Sequence, residues 1–237
     1  MENKIIAKEN EFPDVLSYMD NGNPTLTSPN SSYELPLYQT KDSFMDVELY
    51  SKFIHNAISQ FRRMRVYKNY KAYLMNIGLD HCQYLHNINS SMAELEMNHC
   101  ILTIFDVAVL ISEHIINTYG YITTPHLVAQ LRYVHSQNLV PLTMMSKTVH
   151  QLYHNDDMFY THPNQVFGQW VTLLNTYNRG ITPEICTKVL YYIRTAFEEG
   201  ESSDNGLLSC ATTIKNWSEN VYGSYINRIP DQNPFSM

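Results

Sequence analysis

A chain of 237 residues, 44% hydrophobic and 12% aromatic, is long enough to bury a sizeable core in one or two domains. Its formal net charge of −7 argues against a protein that coats nucleic acid, which usually carries a basic footprint, although a nuclease using a metal and a few local basic residues escapes that exclusion. No apolar run approaches the roughly 18 residues of a membrane span, and the N-terminus lacks the apolar region and cleavage site of a secretory signal. The cysteines Cys82, Cys100, Cys186 and Cys210 are scattered without a CxxC pair, which suits a reducing cytoplasm. A cytoplasmic, intracellular protein is the expectation.

Residues 1–45 read as an extended arm. Pro13, Pro24, Pro29 and Pro36 interrupt it, and Asn21-Gly22-Asn23-Pro24 and Ser28-Pro29-Asn30-Ser31-Ser32 are turn-rich. Isolated Leu and Tyr residues between them suit a segment that lies along a surface rather than folding alone.

Helical periodicity begins after Asp46, a fair N-cap, with Val47, Tyr50, Phe53, Ile54, Ala57, Ile58 and Phe61 at three- and four-residue steps. A second run through Tyr67, Tyr70, Leu74 and Met75 ends at Gly78. The basic cluster Arg62, Arg63, Arg65, Lys68 and Lys71 spreads around such a helix, so a solvated face is as good a reading as a phosphate-tracking surface. Residues 93–101 form a candidate strand. Thr103 or Asp106 opens an apolar helix that Gly120 stops, and Thr124-Pro125 opens another to about residue 137. Residues 139–145 are extended, and 148–154 form a short helix. Asp156-Asp157 and His162-Pro163-Asn164 mark loops. Further helices run from Phe167 to Arg179-Gly180, from Thr182-Pro183 to Gly200, and over 207–221, before an irregular tail at 230–237. No internal repeat is present.

His150 and His154 lie four residues apart, one turn apart on one helical face, as two metal ligands from a helix require. Among ten histidines such a pair also arises by chance, and an ordinary surface or core pair is the competing reading. The pair has company. A strand ending in His99, then Asn138-Leu139-Val140-Pro141-Leu142, then the helical His-x-x-x-His, together resemble the HNH, or ββα-metal, endonuclease family over about residues 80–155.

The resemblance implies that His99 is the general base activating water and Asn98 its metal-side neighbour. It implies that Asn138 orients the base through a backbone contact, and that His150 and His154 hold one divalent ion, Mg²⁺, Mn²⁺ or Zn²⁺. An imidazole titrates near neutrality and can accept the proton of water. One metal can stabilise the pentacoordinate phosphate and the leaving 3′ oxygen. His81, Cys82 and His86 sit where many members carry a CxxC zinc half-site, a candidate structural metal site. The stretch is also similar to HNH-like proteins of large tailed phages.

The chain departs from that pattern. Asn98 stands where His or Asp is usual and is a poorer ligand. Two predicted helices separate His99 from Asn138, the Asn138–His150 spacing is a few residues long, and Asn117 is a second candidate for the orienting asparagine. His114 on its apolar helix reads as a packed or capping residue. Cys100 cannot form a dyad with His99 on an alternating strand, because neighbours face opposite ways. No GxSxG, phosphate loop or dinucleotide fingerprint is present.

The expected fold is α+β and predominantly helical: a small ββα-metal element packed among about seven helices. The arm (1–45) would precede one mainly helical domain (46–229). Two functions are expected. The first is a metal-dependent HNH-type endonuclease, or a domain derived from one, hydrolysing phosphodiester bonds in DNA. The alternative is a non-enzymatic structural or assembly protein of a phage particle or large complex, binding neighbours through residues 1–45.

Overall fold

The computed structural model describes residues 46–155 and 160–200, with the backbone alone of three short strands, β1 (Met19–Asp20), β2 (Asn23–Pro24) and β3 (Tyr38–Thr40). The helix expected over 207–221 and the tail at 230–237 lie outside the described residues, as do the rest of residues 1–45 and Asp156-Asp157.

Helix α1 (Val47–Arg63) begins where Asp46, in extended conformation, accepts hydrogen bonds from the amides of Glu48 and Leu49 at 3.0 and 3.1 Å. Phe53, Ile54, Ala57, Ile58 and Phe61 bury one stripe of it. Met64, extended at ψ 143°, breaks the run before α2 (Arg65–Asn76). Helix α3 (Ile104–Tyr119) is apolar on most sides and runs through the core, with Val107, Ala108, Leu110 and Ile111 fully buried. It starts at a reciprocal cap between Thr103 and Asp106 and stops at Gly120, which takes the left-handed φ of 85°.

Asp106 does more than cap. It is buried, accepts from the Thr103 amide at 2.9 Å and hydroxyl at 2.7 Å, and receives Lys188 Nζ at 2.7 Å from α7 (Pro183–Glu198). Asp106→Ala should therefore cost about 1–3 kcal/mol in urea unfolding, more than the ~1 kcal/mol of Thr103→Ala. Equal losses would mean that the half-exposed Lys188 adds nothing.

A short strand β5 (Tyr121–Thr123) follows α3 and pairs antiparallel with β3, tying the end of the arm region to the body. Helix α4 (Thr124–Ser136) is capped by Thr123, one residue earlier than the sequence suggested, because the Thr123 hydroxyl receives the His126 amide. It closes in a Schellman turn: Asn138, at φ 53°, donates its amide to the His135 carbonyl, and Leu139 donates to Val134, both at 2.9 Å.

Strands β4 (Leu95–His99) and β6 (Leu142–Ser146) pair antiparallel across the inserted α3–β5–α4 block, from Leu95 opposite Ser146 to His99 opposite Leu142. Phe167 adds a bridge to the other edge of β6 at Leu142. Helix α5 (Lys147–Asn155) follows β6 directly and packs on both strands. This β4–β6–α5 unit is the small ββα element. Helix α6 (Trp170–Thr176) and a 3₁₀ turn at Asn178–Gly180 then lead to α7. Among the described residues the architecture is α+β with seven α-helices.

Candidate functional site

Alternation along β4 divides its side chains between two faces. Glu96 and Asn98 face α5. There Glu96 Oε2 lies 2.5 Å from His150 Nδ1, and Asn98 Oδ1 lies 3.2 Å from His150 Nε2. His154, one helical turn on, brings its Nε2 to 2.9 Å from His150 Nε2. Asn98, His150 and His154 are thus brought together. Glu96, which the sequence reading passed over, joins them because it stands two residues before Asn98 on the same strand face.

His99 goes the other way. Its Nε2 lies 3.0 Å from Nε2 of His135 on α4, and the His135 ring packs against Phe61, Tyr67 and Tyr70. His135 Nδ1 lies 2.6 Å from the Leu131 carbonyl oxygen and so carries the proton. That tautomer leaves Nε2 to accept from His99 Nε2–H. Burial, then the neighbouring His135 and Arg62, holds the His99 imidazole well below its ordinary pKa; burial lowers His135 to about 4. Both rings are neutral core members. The arrangement does not place His99 beside His150 and His154, because adjacent strand residues point to opposite faces.

Asn138 does not make the backbone contact expected to orient His99: its main-chain N–H donates to the His135 carbonyl and its carbonyl accepts from the Gln169 amide. Its side-chain amide accepts from the Tyr70 hydroxyl at 3.1 Å and donates to that of Tyr73 at 3.2 Å, while its backbone closes α4. Its left-handed φ explains why asparagine stands there. Asn117, the other candidate, donates to the Arg179 carbonyl.

In the upstream half-site the His81 and His86 rings approach to 5.9 Å, but Cys82 does not join them. Cys82 is fully buried and its sulfur receives the Leu85 amide, whereas His81 turns to Asp80 and Gln83. His86 lines a polar cavity of ≈ 330 Å³ with Gln83, His162, Asn164 and Gln165. His114 packs edge-on against Tyr177. The Cys100 thiol is pushed up to about 12 by burial and is no nucleophile at neutral pH. Among the described residues, no three His, Cys, Asp or Glu side chains are grouped to hold a metal ion.

The family described as bacteriophage G278-like virion protein matches residues 1–219. The chain belongs to that family. It is therefore a phage protein of a virion class, and nothing in the match points to an HNH nuclease. No curated protein and no solved structure matches the chain. Among the described residues, no helix of this virion protein is long and apolar enough to cross a membrane.

Proposed function

We propose that this protein is a non-enzymatic structural or assembly component of a phage particle, and that it binds neighbouring proteins through residues 1–45. The family match carries the reading: it spans 1–219, so the arm is included with the folded body in a virion protein family. Pairing of β3 with β5 supports it, since it ties residues 38–40 of the arm to the folded body. The placement of His99 supports it too. A hydrolytic centre needs a base within reach of the metal-bound water, and His99 is buried behind β4 against His135.

The test is incorporation into particles of the full chain beside a chain beginning at residue 37, which keeps β3. The full chain should co-sediment with particles, and the shortened one should remain largely in the soluble fraction while retaining its circular dichroism. Equal incorporation of the two would defeat the role given to the arm.

A further inference from the structure

We propose that the seam between β4 and α5 is a structural site for one borderline transition-metal ion, Zn²⁺ being the prime candidate. His150 Nε2, His154 Nε2 and Asn98 Oδ1 would be its protein ligands, and Glu96 the carboxylate that holds His150 in register.

The argument starts with the proton on His150. Glu96 Oε2 sits 2.5 Å from Nδ1, and a carboxylate only accepts, so Nδ1 carries a hydrogen. A neutral His150 then presents a bare lone pair at Nε2. Two further donor atoms converge there: His154 Nε2 at 2.9 Å and Asn98 Oδ1 at 3.2 Å. Ligands bound at about 2.0–2.1 Å stand about 2.9 Å apart at right angles and about 3.4 Å apart in a tetrahedron. The observed separations fall within that range. A carboxylate on the outer nitrogen of a ligating histidine is the recurrent outer-shell device of metal sites, fixing both tautomer and ring plane.

The donor set also selects the metal. Two imidazoles and an amide oxygen suit Zn²⁺, Co²⁺ or Ni²⁺ better than Mg²⁺. Glu96 occupies the outer nitrogen and not the inner one, which is why no trio of His, Cys, Asp or Glu forms. The exposed His154 side leaves room for water to complete the coordination. The ion would join helix to strand without a base beside it. This inference goes beyond the virion role and stands on the seam geometry alone.

Titrating the metal-free full-length chain with Co²⁺ tests it. The expected result is one equivalent bound with visible d–d absorption, displaced by Zn²⁺, and a Zn²⁺-dependent rise in melting temperature. His154→Ala, at an exposed position, should weaken binding about 100-fold while keeping the fold. Glu96→Ala should weaken it about 10-fold or more. Absence of binding at ~100 μM metal, far above the range of a structural zinc, would overturn the proposal and leave a metal-free hydrogen-bonded trio. Binding undiminished in both variants would overturn it as well, by placing the ion on other histidines.

Discussion

Lowering the pH from 7 to 5 should destabilise the folded chain by roughly 4–6 kcal/mol, about 2 kcal/mol for each of three buried histidines. His99, His126 and His135 are 8%, 3% and 1% exposed. Burial holds all three below the ordinary 6.5: His99 well below, His126 at about 3 and His135 at about 4. The unfolded chain takes up protons on them as pH falls through 6.5, and the folded chain does not. Stability is therefore complete above pH 6.5 and declines through the window between 6.5 and the folded values, by about 1.4 kcal/mol per pH unit for each ring. Ordinary carboxylates titrate below this range, so urea unfolding between pH 6.5 and 5 isolates the histidines. His126→Gln should reduce the slope by up to about a third of its value, because His114, which burial also lowers, adds to the remainder. A flat profile between pH 6.5 and 5 would show that these rings can be protonated in place.

The contrast between His99 and His150 shows where sequence stops being sufficient. The helices were legible because their boundaries carry local chemistry. Asp46, Thr103, Gly120 and the Thr182-Pro183 pair act within a turn of their own positions. The ββα element was legible through its resemblance, and β4 does pair with β6 across the α3–β5–α4 insertion. Strands β3 and β5, of three residues each, are too short to show alternation, and their pairing joins distant parts of the chain.

At the site, His150 and His154 were found from spacing and Asn98 through the resemblance, and Glu96 follows from the two-residue period of the strand. The face of His99 was also available from that rule. Alternation, which separates Cys100 from His99, equally separates His99 from Asn98. What no spacing could reveal was His135, one long-range contact away on α4, which holds His99 in the core. Asn138 illustrates a different ambiguity. A residue after a helix that precedes an apolar run fits a left-handed cap as well as an orienting side chain, and its φ of 53° fits the cap.

Gly180→Ala should cost about 3 kcal/mol or more. Gly180 ends the 3₁₀ turn that lies against α3. A Cβ built there runs into the Leu110 carbonyl oxygen and comes within 2.7 Å of the His114 amide nitrogen. Neither atom can yield easily, because the Leu110 carbonyl and the His114 amide are partners in the i→i+4 ladder of a buried helix. The turn must move instead. Moving it strains the Asn117 bond to the Arg179 carbonyl at 2.9 Å and the packing of Tyr177 on His114. Gly78→Ala separates this steric effect from glycine's backbone freedom. Gly78 has φ 104° but nothing within 4 Å of its added Cβ, so its loss should be only about 1–2 kcal/mol, the conformational cost alone. Urea midpoints of the two variants beside the parent chain decide the matter. If Gly180→Ala proved no worse than Gly78→Ala, the turn would have to ride on α3 with slack that the contact at Leu110 does not show.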